Sequence, residues 1–226
     1  MRDMSFQRAR TDEQRGERRR QILATAAAML TEVPVADLTL TALSRRVCLA
    51  KANVLRYFES REAVLLDLLE AEVAEWITEL ESAEVGGDGS ARERGDRLAA
   101  LLASSLVRRP VLCDLISAQS TVLERNISAE TALRHKRAVH GYLQGLVRLT
   151  ARHLPELGDE DAAALMQTVM LIAVAAWPGS RPPQAVLDAY AADPALAVMC
   201  VDFADVVRRT TEVTVSGLLA REQRPR

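Results

Sequence analysis

The chain has 226 residues, 49% of them hydrophobic, which is enough core material for one larger domain or two small ones. Aromatics make up only 4%, Gly and Pro number 10 and 8, and no run alternates cleanly at period two, so an all-helical protein packed by aliphatic side chains is expected and strands are not. The net charge of -2 argues against a nucleic-acid partner only if charge is evenly spread, and it is not: residues 1–61 carry twelve Lys/Arg against seven Asp/Glu, the remainder seventeen against twenty-four.

Residues 1–14 are polar, with three arginines among them, and read either as a flexible basic arm of the kind laid along a DNA groove or as a plain solvated tail. From Thr11 or Asp12 onward Ile22, Leu23, Ala26, Met29 and Leu30 form a helical stripe, with Arg15, Arg18, Arg19 and Arg20 crowding its first half and Pro34 ending it. Thr39 is a suitable N-cap for a second helix, Leu40 to Val47; Cys48, Leu49 and Ala50 form a turn, and a third helix runs from Lys51 to about Phe58. Leu40, Leu43 and Val47 share one face, as do Val54 and Phe58, so the two short helices face one small core as a helix-turn-helix does. The opposite face of the third helix carries Lys51, Asn53, Arg56 and Tyr57, which suit a major groove, although a solvated surface would look similar. Ser60 caps a fourth helix whose stripe, Val64, Leu65, Leu68, Leu69, Val73 and Ile77, is long enough to leave the small module.

Taken together, RRRQILATAAAML and TLTALSRRVCLAKANVLRYFESREAVLLDLL resemble the DNA-binding region of TetR-type transcriptional repressors. The resemblance covers about Arg18 to Leu69 and rests on the joined order of Thr39, the turn, Lys51, the pair Tyr57 and Phe58, and Ser60-Arg61-Glu62-Ala63. The family usually has Gly where this chain has Cys48, Ser where it has Ala50 and Tyr where it has Leu55. The first departure asks a non-glycine residue to adopt a turn conformation with positive φ, and the second removes an N-cap oxygen; each costs about 1 kcal/mol. The resemblance implies that Lys51, Ala52 and Asn53 approach bases, and that Thr39, Thr41, Arg56, Tyr57 and Arg61 hold phosphates of a palindromic operator.

Beyond the glycine-rich break at residues 86–90, helices are expected over Ala91 to Val107, Pro110 to about Arg125, Ser128 to about Leu154, Asp161 to Trp177, Gln184 to Ala191 and Pro194 to about Leu219. Val169 to Trp177 is apolar on every side and Leu196 to Val207 nearly so, and helices of that kind need cover all round. They are either central core or, as the resemblance implies, the pairing helices of a homodimer, 161–177 and 194–219. The domain division expected is an arm over 1–14, a helix-turn-helix domain over 15–69 and an effector-binding and dimerisation domain over 70–226.

The resemblance also implies a cavity for a small-molecule effector of unknown identity, for which Trp76, Cys113, Ser117, Gln119, Tyr142, Met166, Gln167, Met170 and Trp177 mix apolar walls with a few polar groups. Each of these is equally explained as helix core. Cys48, Cys113 and Cys200 are odd in number and widely spaced, so no disulfide framework or zinc site is indicated. His135 and His140 stand five apart, off the ligand spacing of a helical metal site; no cofactor, metal or catalytic motif is expected. The charged N-terminus and the shortness of the apolar run Val169 to Trp177 point to a cytoplasmic chain that spans no membrane. The reading is a ligand-responsive repressor; an activator on the same fold, or a helical ligand-binding or adaptor protein without an operator, are the alternatives.

Overall fold

The structure, a computed structural model, describes residues 2–83 and 87–221, with side chains from Glu13 onward. Among the described residues no strand occurs, so the chain is all-α as the missing period-two pattern implies. The order is α1 (Arg2–Leu30), α2 (Leu40–Arg46), α3 (Lys51–Val54), α4 (Arg61–Ser82), α5 (Ala91–Val107), α6 (Pro110–Ala118), a π-helical segment (Gln119–Leu123), α7 (Ala129–His153), α8 (Asp159–Gly179), α9 (Gln184–Ala192), a 3-10 segment (Pro194–Met199) and α10 (Phe203–Leu219). Two compact units emerge: residues 1–71 with 118–136, and residues 72–117 with 137–226.

In the first unit the expected stripes meet. Ile22 and Ala26 of α1, Leu43 of α2, Val54 of α3 and Val64 and Leu65 of α4 are fully buried, and Phe58 is nearly so. Each of the larger side chains stabilises the head by about 1.5–3 kcal/mol on burial. The helix boundaries differ from expectation in instructive ways. The backbone of α1 is helical from Arg2, ahead of the expected Thr11, while the side chains before Glu13, where most of the arm was placed, lie outside the described residues. The helix stops at Leu30 rather than at Pro34, because the Thr31 hydroxyl donates to the Ala28 carbonyl (2.7 Å) and Val33 precedes a proline that disfavours helix. The third helix holds α-helical form only over Lys51–Val54; Tyr57 N–H then bonds the Val54 carbonyl at 2.9 Å, a tighter turn that carries the chain to Phe58.

In the second unit α10 packs on α5 and α8. Gly95 permits the close approach of α5 and α10, since a Cβ there would stand 2.6 Å from Val215 Cγ1. Leu98, Leu102, Leu106, Leu165 and Met166 are wholly buried in this unit, and Val169, Val207 and Val215 nearly so. Asp159, Glu160 and Asp161 in the first turn of α8 complement its dipole. α8 alone among the described helices is long and apolar enough, by length and composition, to cross a membrane, a test that the core helix of a globular protein also passes, and its apolar window is 39% buried within the chain. The other sequence-derived boundary that fails is the last helix. Pro194–Met199 is a separate 3-10 segment, capped by the Asp193 carboxylate, and α10 begins anew at Phe203 under the Asp202 carboxylate, which accepts from Asp205 N–H at 2.9 Å. The two aspartates act as caps, and each cap starts its own helix.

Candidate nucleic-acid interface

α2 opens on Thr39, whose Oγ1 accepts the Ala42 N–H at 3.1 Å. It closes in a Schellman arrangement: Leu49 N–H bonds the Ser44 carbonyl at 2.9 Å and Cys48 N–H the Arg45 carbonyl at 3.1 Å. That motif needs a left-handed residue at its centre, and Cys48 has φ 55°, the one non-glycine residue at positive φ among those described. Ala50, extended at φ -64° and ψ 144°, heads α3 without a side-chain bond. Both departures from the expected turn chemistry are therefore real features of the backbone.

The turn sets α3 so that its buried face is Val54 and its outer face is Lys51, Ala52, Asn53, Leu55 and Arg56, all exposed. The side chains of Lys51, Asn53 and Arg56 have no hydrogen-bond or ion-pair partner among the described residues. Thr39 and Thr41 are exposed as well, and Tyr57 is half-buried. An open groove of about 800 Å³ runs between α1 and this face, lined by Arg15, Arg18, Arg20, Arg56 and Tyr57 together with Glu13 and Glu17. The arginine run of α1 is plain in the sequence, but nothing in its spacing connects it to the reading helix.

Arg61 does not stand with the others. Its Nη1 donates to the Ala36 and Leu38 carbonyls, each at 3.2 Å, and its Nε pairs with Glu62 at 3.2 Å, leaving the side chain 19% exposed. In the structure as it stands Arg61 satisfies the carbonyls of the loop that delivers Thr39 to α2.

Behind the reading face Arg19 ties three elements together. Its Nη1 donates to the Tyr57 carbonyl, its Nη2 pairs with Asp67 of α4, and its guanidinium carbon lies 4.2 Å from the Phe58 ring centroid. Asp67 accepts a second guanidinium, that of Arg134, at 2.9 Å. Desolvation raises the Asp67 carboxyl above its ordinary value, with the Arg19 and Arg134 charges pulling the other way. Two further bonds bring residues 118–136 onto the same unit. Glu59 Oε1 accepts the Ser128 N–H at 2.8 Å, which holds the Glu59 carboxyl below the usual range, and buried His135 places Nδ1 3.0 Å from Glu70.

A family model of the tetracyclin repressor-like C-terminal domain matches residues 70–222. The chain belongs to the TetR family. It is accordingly a DNA-binding transcriptional regulator. Solved structures agree on the fold. The fatty acid degradation regulator FadR of Bacillus halodurans shares 16% identity at TM-score 0.56, covering 88% of this chain and 95% of its own. A TetR/AcrR-family transcriptional regulator of Thermobifida fusca YX-ER1 shares 22% at 0.50, covering 92% and 100%. A single-residue variant of TetR from Acinetobacter baumannii AYE, in complex with minocycline, shares 17% at 0.53, covering 87% and 93%. No curated protein matches the sequence.

The effector candidates of this TetR-family chain divide by environment. Trp76 is fully buried and donates Nε1–H to Ser105 Oγ at 2.9 Å; Met166 is fully buried, and Cys113, its thiol pushed up to about 12 by burial, bonds the Leu106 carbonyl. Ser117 donates to the Val174 carbonyl at 3.3 Å, and Trp177 donates to Asp114 at 2.6 Å while meeting Phe203 edge-on, so α6, α8 and the start of α10 gather there. Tyr142 and Met170 are half-buried, and Gln167 is exposed. Gln119 belongs to the first unit, where its amide meets Glu124 and the His135 ring at 2.9 and 3.1 Å. Sequence spacing gives no sign of Asp114 and Phe203, which partner Trp177 from distant stretches of chain.

Cys48→Gly, which relieves the left-handed strain, raises unfolding stability by about 1 kcal/mol, measured by denaturant titration. Arg61→Ala strands two carbonyls and lowers stability by about 1–3 kcal/mol in the same assay. Unchanged stability, with a loss confined to DNA affinity, would mean that Arg61 acts on phosphate and not on the loop.

Proposed function

We propose that the chain is a cytoplasmic, ligand-responsive repressor that occupies a palindromic operator as a homodimer. The observation that carries the reading is the exposed, unpartnered set on α3: Lys51 and Asn53 aim a cation and an amide outward from a face whose opposite side is core. Lys51, Ala52 and Asn53 approach base edges, Asn53 bidentate to an adenine by the geometry of its amide. Thr39, Thr41, Arg56 and Tyr57 hold phosphates, and Arg15 and Arg18 of the adjoining groove join them. Thr39 Oγ1 accepts its capping bond and so keeps its hydroxyl proton for a phosphate oxygen.

Dimerisation uses the outer faces of α8 and α10. Leu171 and Val213 stand 63% and 72% exposed there, in helices whose inner faces are already buried against the chain. A two-fold dimer presents two reading helices to half-sites about one or more helical turns apart, which is why a palindrome is expected. The effector site lies in the helical body over residues 70–226, and the helix-turn-helix domain spans 15–69. A ligand that favours a different spacing of the heads lowers operator affinity.

Selection of binding sites from random DNA by the purified protein enriches a palindrome. On that site Asn53→Ala relaxes preference at one position per half-site by about 1–3 kcal/mol. Failure to enrich any palindrome, or an Asn53→Ala loss equal on specific and random DNA, would overturn the assignment.

A further inference from the structure

One large apolar side chain of the helix-turn-helix stays outside its core. In the first unit the large hydrophobic side chains exposed among the described residues are Leu55 and Leu133, and of the two it is Leu55 that stands on the face of Lys51, Asn53 and Arg56. Its neighbour Val54 is fully buried, whereas Leu55 is 43% exposed. The backbone holds it there. Leu55 N–H bonds the Lys51 carbonyl at 3.1 Å, and φ -65° with ψ -11° keeps the residue helical. Leu55 therefore stands one turn beyond Lys51 and Ala52, on the same side of α3. Ala52 is exposed as well, so the two form an apolar strip beside the Lys51 cation.

We infer that Leu55 reads the C5-methyl group of a thymine in the operator. The chain is a DNA-binding regulator, and a side chain on its reading face meets either the phosphate backbone or the base edges. The Tyr usual at this position could bond a phosphate oxygen through its hydroxyl; a leucine has no polar atom to offer. What it can gain is the removal of apolar surface from water, and the apolar group on the floor of the major groove is the thymine methyl. Cytosine at the same place lacks the methyl and presents an amino donor, which a leucine covers without pairing, so the contact also discriminates against a C·G pair. Asn53 and Lys51 then read hydrogen-bonding groups while Leu55 reads shape one turn away. Covering one methyl group is worth about fourfold in affinity, and a palindrome that carries the thymine in both half-sites squares this to about fifteenfold. The inference rests on the proposed reading face of α3 and adds an apolar reader to it.

Deoxyuridine pairs with adenine as thymidine does and lacks only the methyl group, so it isolates this contact. On the palindrome enriched by the full-length protein, each thymine is replaced in turn by uracil in both half-sites, and affinity is measured by fluorescence anisotropy. The parent protein loses about fifteenfold at one thymine position. Leu55→Ala, with helicity unchanged by circular dichroism, binds the thymine site about as weakly as the parent binds the uracil site, and no longer distinguishes the two. Leu55→Met, which keeps an apolar tip of similar reach, retains the distinction. A parent that binds thymine and uracil sites alike at every position would overturn the inference, and so would a Leu55→Ala variant whose thymine-to-uracil ratio equals that of the parent, the result expected if Leu55 packs on a sugar. Either result leaves the operator standing. Failure to enrich any palindrome would instead remove the reading of α3 beneath it.

Discussion

The reading head depends on one guanidinium. Arg19 reaches from α1 to the Tyr57 carbonyl at the end of the recognition turn, to the Asp67 carboxylate on α4 and to the face of Phe58. A four-residue α-helix is too short to hold itself, since nucleation fixes several dihedrals for each first bond. Its orientation must be imposed by what surrounds it. Val54 and Phe58 supply the apolar anchor, the left-handed Cys48 supplies the angle of entry, and Arg19 fixes the exit. The partly buried Arg19–Asp67 pair, with exposures of 33% and 13%, is less screened than a surface bridge, so its loss is felt.

Asp67 also connects the head to a stretch far along the chain. Residues 118–136 cluster with the first unit and grip it at Glu59, Asp67 and Glu70 through Ser128, Arg134 and His135. The stretch begins in a π-helical segment, a geometry that is rare and frequent at functional sites where it occurs. Loss of the Arg134 contact would leave Asp67 with Arg19 alone, so this stretch and the hold on Tyr57 share one carboxylate.

Local features of the fold are legible in the sequence and distant ones are not. The stripes through Ile22, Leu43, Val54 and Phe58 are periodic and bounded by a cap and a turn, so pattern alone locates the helix-turn-helix core. The strain at Cys48 is legible too, because a glycine position filled by another residue must still adopt the same dihedral. The bonds of Arg61 to the carbonyls of Ala36 and Leu38 are not legible, because those atoms lie 25 and 23 residues away and are backbone atoms without sequence identity. The break at Cys200 to Asp202 is hidden by continuous apolar character across Leu196 to Val207, in which Asp202 looks like an interruption of one helix rather than the cap of another. Among the effector candidates, Trp76 and Cys113 are engaged in buried bonds that spacing does not reveal.

The central claim is that Arg19 and Asp67 act as one device in presenting the recognition helix. A double-mutant cycle on operator affinity, with Arg19→Ala, Asp67→Ala and the pair together, tests it most directly. Neither substitution touches Lys51, Ala52 or Asn53, so a loss reports on presentation rather than on base contact. The account predicts that each single change weakens binding and that the pair costs less than the sum, a coupling of about 1–3 kcal/mol. Losses that add, or single variants that bind as tightly as the parent, would contradict it.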